Sequence, residues 1–168
     1  MPLYTPNAAF SGPINISAFV AQAQGHANLA GPTPRLPNAT NNYNLGVNQT
    51  RLAPIGNVSE NTRAFGLITC AAVIFASTDP HALAAAYVFH ANAGHVAVGD
   101  ITAARVALGA PPWNSILVVV AHPGAHDPGY AASITSMTNL GILPNYIVEI
   151  ENLPVGQFGI NNSGQIGF

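Results

Sequence analysis

One cysteine, Cys70, and six histidines are the side chains best suited to chemistry in this sequence. A thiol reacts as its thiolate, and a neighbouring imidazolium lowers the thiol pKa and so creates that nucleophile. Cys70 stands in an apolar run, Ala64–Ser77, and His90 closes a second one, Leu83–His90 (LAAAYVFH). Between them, Ser77-Thr78-Asp79-Pro80-His81 has the composition of a turn. A hairpin centred on Pro80 pairs residues whose numbers sum to about 160, which sets Cys70 opposite His90 with Cβ atoms roughly 4.5–5.5 Å apart. A slip of one residue would put Phe89 there and send the two side chains to opposite faces. His81 is roughly ten residues away along a strand rising about 3.3 Å per residue, and so out of reach. Asn92-Ala-Gly-His95 reads as a turn with a polar contact to the site, and His26 as polar surface. The competing structural readings are plain. Free Cys is often a small core hydrophobe, and a strand His is often half-buried with one satisfied hydrogen bond.

A second constellation, His122-Pro-Gly-Ala-His126-Asp127, follows the apolar run Ser115–Ala121. Loops after central strands often carry function. His122, His126 and Asp127 are donor types that suit zinc or iron. The prolines and glycines rule out the helical HExxH spacing, so a surface turn is the expectation here and no metal or other cofactor is expected. There is no GxGxxG, no phosphate-binding Walker loop and no GxSxG.

Composition narrows the partners. Charged residues make up 6% of 168, with four arginines, six acids and no lysine, against about 25% in ordinary domains. No basic patch exists to neutralise a row of phosphates, so nucleic acid is not an expected partner. No polybasic anchor or apolar stretch long enough to span a bilayer is present, so a membrane is not expected either. Hydrophobic residues make up 49%, which argues against disorder of the whole chain. The surface must be wetted by neutral groups: 17 Asn, 5 Gln, 8 Ser and 10 Thr. The N-terminus lacks the basic and apolar regions of a secretory signal. The five Asn-x-Ser/Thr sequons, at Asn15, Asn38, Asn48, Asn57 and Asn161, therefore read as by-products of an Asn-rich chain.

The elements that must position these residues follow from pattern. Residues 1–62 form a Pro/Asn-rich wrapping segment with one helix within Asn15–Leu29, its apolar face made by Ile16, Phe19, Val20 and Ala23. Residues 63–168 form the catalytic α/β core. Its strands are Ala64–Ser77, Leu83–His90, Ser115–Ala121 and Tyr146–Ile150. Its helices are Val98–Leu108, stopped by Gly109, and Tyr130–Leu140, stopped by Gly141. A hairpin turns around Asn161–Gly164. The expected fold is a single-domain α/β or α+β sandwich, a mixed β-sheet with helices packed on it.

GLITC, then AAVIFAS, a turn and AAAYVFH together resemble the active-site hairpin of the cysteine-dependent protein glutamine deamidases. That superfamily includes the chemoreceptor deamidase CheD, the cytotoxic necrotising factor catalytic domain and the Burkholderia lethal factor type. The resemblance covers Phe65–His95, under a fifth of the chain. It departs from the family in placing Ile68-Thr69 where Ser-Gly or Gly-Ser would stand, and in a longer Cys-to-His separation. It implies Cys70 as nucleophile and His90 as base. The third, orienting group stays open between Thr62, Thr69, a backbone carbonyl and Asp127. It further implies a hydrolase, a bacterial effector or toxin that enters the host cytosol without a classical signal peptide and deamidates a glutamine of a host protein. The expected state is a monomer. A lysine-free chain resembles lysine-poor translocated toxin subunits and offers ubiquitin no side-chain amine. Two rivals remain. One is a papain-like peptidase or acyltransferase using Cys70 with His122 and Asp127, although such folds set the nucleophile at a helix N-terminus, not before an apolar strand. The other is a non-enzymatic Asn-rich structural or binding module with an inert cysteine.

Overall fold

A computed structural model describes residues 1–56, 59–78, 85–125 and 128–168. Its organising element is a seven-stranded mixed sheet in the order β3-β1-β10-β9-β7-β8-β5. These strands are β1 (Leu3–Ser11), β3 (Asn28–Pro34), β5 (Thr50–Pro54), β7 (Ala71–Ser77), β8 (Ala85–Ala91), β9 (Ile116–Ala121) and β10 (Ile147–Ile150). The half from β3 to β9 is parallel, and the half from β9 to β5 is antiparallel. The centre of the sheet is made by the runs that read as near-continuous apolar strands. Every residue of β7 and of β9 is buried, as expected of strands covered on both faces.

A second, five-stranded sheet packs on one face of the first. Its order is β2-β12-β11-β6-β4, with β2 (Ile14–Asn15), β4 (Asn41–Leu45), β6 (Glu60–Phe65), β11 (Gln157–Asn161) and β12 (Gln165–Gly167). Between the sheets lies a core of Ile74, Val88, Val119, Phe158, Ile160 and Ile166, closed at one side by helix α1 (Ile16–Ala23). The opposite face of the large sheet carries helices α2 (Val98–Ala107) and α3 (Pro128–Asn139) over Val73, Phe75, Val118 and Val120, with Met137 of α3 in the same core. Burying a side chain such as Phe75 in these layers is worth roughly 1.5–3 kcal/mol. The result is one α/β domain with mixed sheets and three α-helices among the described residues. None of its helices is long and apolar enough to cross a membrane.

Local chemistry accounts for the boundaries. Asn15 caps α1, its Oδ1 accepting from the Ser17 amide at 2.9 Å, and Ile16, Phe19, Val20 and Ala23 are the buried face. Asp100 caps the start of α2 by accepting from the Ala97 amide at 3.1 Å. Gly109 follows that helix at φ +84°, a left-handed stop. Asn161 builds the β11–β12 turn, its Oδ1 accepting from the Ser163 and Gln165 amides.

Three features differ from the sequence reading. The run Ala64–Ser77 is not one strand but two, in different sheets. It breaks at Gly66, whose φ of +78° turns the chain out of β6, and residues 66–70 cross to the large sheet. The wrapping segment supplies β1 to β5 and the first half of β6, so it contributes strands to both sheets. The β7–β8 register pairs Ala72 with His90 and Ala71 with Ala91, so partner numbers sum to 162 and not 160. A shift of two residues keeps every side chain on its expected face.

Candidate functional site

The register decides the relation of Cys70 to His90. His90 lies directly opposite Ala72, and Ala72 and Cys70 both belong to the core between the sheets. Cys70 and His90 therefore share the inner face as diagonal neighbours, a relation that spans roughly 7–8 Å. Cys70 immediately precedes β7 and is 7% exposed. Its Sγ contacts the Oδ1 of Asn92 at 3.9 Å, a thiol donating weakly to an amide. Asn92 opens the short turn after β8 and is exposed. The thiol's polar contact thus goes to Asn92, not to His90.

His90 is 1% exposed. Its Nδ1 lies 2.8 Å from the Leu45 carbonyl oxygen at the end of β4. A carbonyl only accepts, so Nδ1 carries a proton and donates it. Nε2 is buried and has no hydrogen-bond partner among the described residues. The segment after Leu45 wraps the same residue. The Asn48 amide donates to the His90 carbonyl at 2.8 Å, and the His90 amide to the Gln49 carbonyl at 3.0 Å. Of the orienting groups left open by the sequence, the one that touches His90 among the described residues is a backbone carbonyl, that of Leu45. Thr62 is buried on β6, and its hydroxyl donates to Glu60 at 3.5 Å. Glu60 in turn pairs with Arg51 at 2.8 Å. Thr69 is exposed, and its side chain makes no hydrogen bond among the described residues. Asp127 lies outside the described residues.

The second constellation sits on the other side of the sheet. His122 and Glu149 are both fully buried, with Nε2 and Oε1 2.7 Å apart. Glu149 alternates with Ile147, so it faces the helices. Tyr130 of α3 stacks on the His122 ring at 3.8 Å and 13°. Gly94 makes room for that ring, because a Cβ there would stand 1.8 Å from the Tyr130 Cε1. The papain-like pairing of Cys70 with His122 therefore fails: the sheet itself separates the two side chains. His126 and Asp127, the other donors of the suggested metal set, lie outside the described residues. No group of three His, Cys, Asp or Glu able to hold a metal occurs among those described.

Sequence reasoning did not find the Leu45 carbonyl, which has no side-chain signature, or Glu149, whose strand looked simply apolar. The turn at Asn92 was legible as a polar contact.

An open groove of about 450 Å³ flanks the segment that leads into Cys70, lined by Phe65, Leu67, Ile68, Val155 and Gln157. Ile68, two residues before the thiol, is 80% exposed.

No family model matches the chain, and no curated protein matches it. Among solved structures it is similar to the Bacillus licheniformis hypothetical protein YfiH, at 9% identity and a TM-score of 0.38. The match covers 89% of this chain and 63% of that one, so the chain spans under two thirds of that protein's length. A likeness of that size identifies no family.

Proposed function

We propose that this chain is a cysteine-dependent protein-glutamine deamidase, a bacterial effector or toxin that acts on a host protein. The observation that carries the reading is the state of His90. Leu45 fixes its Nδ1–H, and its unpartnered Nε2 lies in the layer that Cys70 shares. In the proposed cycle, rotation about the Cys70 Cα–Cβ bond moves Sγ off Asn92, and Nε2 takes the thiol proton. The thiolate attacks the glutamine side-chain carbonyl carbon, forming a C–S bond and an oxyanion. The oxyanion collapses, the C–N bond breaks, and His90 gives its proton to the departing ammonia. Water then attacks the thioester while His90 takes its proton. The C–S bond breaks, His90 returns the proton to the leaving sulfur, and a glutamate side chain and the free cysteine remain. With so few ions on the protein, recognition of the substrate rests on shape, apolar contact and neutral hydrogen bonds. The exposed Ile68 and Phe65 beside the thiol segment supply the apolar part.

The test is mass spectrometry of host proteins incubated with wild type, Cys70→Ser and His90→Ala. Glutamine-to-glutamate conversion with ammonia release is expected from wild type and lost in both variants. Full conversion by Cys70→Ser overturns the reading.

The burial of Cys70 and its contact with Asn92 favour a second reading, a non-enzymatic module with an inert core thiol. Rapid iodoacetamide labelling of native protein, at a pH below the ordinary thiol pKa near 8.5, counts against that module.

A further inference from the structure

The four arginines are the only side chains in the sequence with a permanent positive charge. Three are engaged. Arg35 stands 5.7 Å from the Phe168 ring. Arg51 pairs with Glu60 and lies 3.5 Å from the Tyr43 ring. Arg105 donates to the Ala110 and Pro111 carbonyls and lies over Trp113. Arg63 differs. It is half-buried on β6, its side chain makes no hydrogen bond or ion pair among the described residues, and its Nε is buried without a partner among them.

What holds Arg63 in place is packing. It pairs across the ladder with Gly159, and a Cβ at that glycine would stand 2.6 Å from the Arg63 Cα and 2.8 Å from its Cγ. Only glycine lets the stem lie so close to β11. Burial lowers the guanidinium's pKa from its ordinary value, the mark of a cation that lacks the counter-charge that would offset its desolvation.

Arg63 opens on a groove of about 530 Å³ along the outer face of the small sheet, lined also by Asn38, Asn42, Asn44, Phe65 and Gln157. That volume falls within the range of small-molecule sites, about 300–1,000 Å³. No acid lines the groove among the described residues. The side-chain amides of Asn38, Asn44 and Gln157 make no hydrogen bond among the described residues, whereas Asn42 is pinned by the Asn61 amide at 3.3 Å. Phe65 is 55% exposed and stands at one end of the groove.

We propose that this groove is a binding site for a carboxylated sugar, with Arg63 receiving the carboxylate. A guanidinium fork matches a carboxylate in two parallel hydrogen bonds. A primary amide offers a donor and an acceptor side by side, which suits neighbouring hydroxyls. The exposed Phe65 ring takes the apolar C–H face of a pyranose. An acidic peptide would seek apolar pockets for its side chains, and this groove offers amides instead. Cys70 does not line this groove, although Phe65 and Gln157 line both it and the groove beside the thiol segment.

The test is calorimetric or NMR titration of the full chain with N-acetylneuraminic acid and with glucuronic acid. Neutral N-acetylglucosamine and a short acidic peptide form the comparison arms. Saturable binding of at least one acidic sugar is expected, with a Kd of about 1 mM. It should weaken at least tenfold in Arg63→Gln, weaken in Asn44→Ala and Phe65→Ala, and stay unchanged in Cys70→Ser. Asn44→Ala, at an exposed strand position, keeps the test open if Arg63→Gln fails to fold. The proposal is overturned if neither acid saturates, if the substitutions leave affinity unchanged, or if the peptide binds and the sugars do not.

Discussion

Two buried histidines lie on opposite faces of one sheet and are satisfied in different ways. His90, between the sheets, gives its Nδ1–H to the neutral Leu45 carbonyl. His122, under the helices, meets the Glu149 carboxylate and is covered by Tyr130. In each ring one nitrogen is bonded and the other is buried without a partner among the described residues. A carbonyl orients a ring without bringing another ionisable group into the core, and it fixes the direction of the His90 Nδ1–H. A buried carboxylate ties its histidine to a partner that is costly to strand. In the proposed reading the inner face presents a poised base, and the helix face a structural pair.

Glu149→Leu should break that comparison most visibly. It strands the His122 Nε2 at full burial, and losing one member of a buried pair typically costs about 3–5 kcal/mol. Urea denaturation reads the change. The double variant His122→Leu with Glu149→Leu should recover part of the loss, because apolar replacement of both members removes the desolvation penalty. A cost below about 1 kcal/mol for Glu149→Leu would mean that Tyr130 stacking alone holds His122, and the contrast between the faces would lose its basis.

His90→Leu is the matching experiment on the inner face, with a smaller expected effect. It leaves one carbonyl, that of Leu45, without this bond, at about 1–3 kcal/mol. If His90 is the base for Cys70, the same variant also slows iodoacetamide labelling of the native thiol. A thiol that labels at the wild-type rate would make His90 a structural twin of His122.

The legibility of these regions in the sequence differs for physical reasons. β9 and the helices declared themselves, since a fully buried strand reads as an unbroken apolar run and α1 showed its four core residues at helical spacing. The strands β3 and β4 did not. β3 is an edge strand containing Pro32 and Pro34, and prolines are tolerated there only because one side of an edge needs no ladder donor. β4, NNYNL, is exposed at four of its five positions, so it lacks the alternation that marks a half-buried strand. The β6–β7 break was hidden because Leu67 and Ile68 continue the apolar run past Gly66, although Ile68 is exposed. The face shared by Cys70 and His90 was legible, because side-chain period two survives a two-residue error in register. Their separation was not, because it depends on how the turn closes.

Asn92→Ala gives the smallest effect and addresses the inner face alone. Asn92 is exposed, so stability should change by no more than about 0.5 kcal/mol. Its Oδ1 accepts from the Cys70 thiol at 3.9 Å. Removing a weak bond of about 0.5 kcal/mol should raise the iodoacetamide rate about two- to threefold at fixed neutral pH. Slower labelling in the variant would reverse the roles, with the amide turned so that Nδ2 donates to sulfur and supports the thiolate. Asn92 would then belong with His90 as part of the poised side of the sheet. Faster labelling makes it the latch that His90 must release.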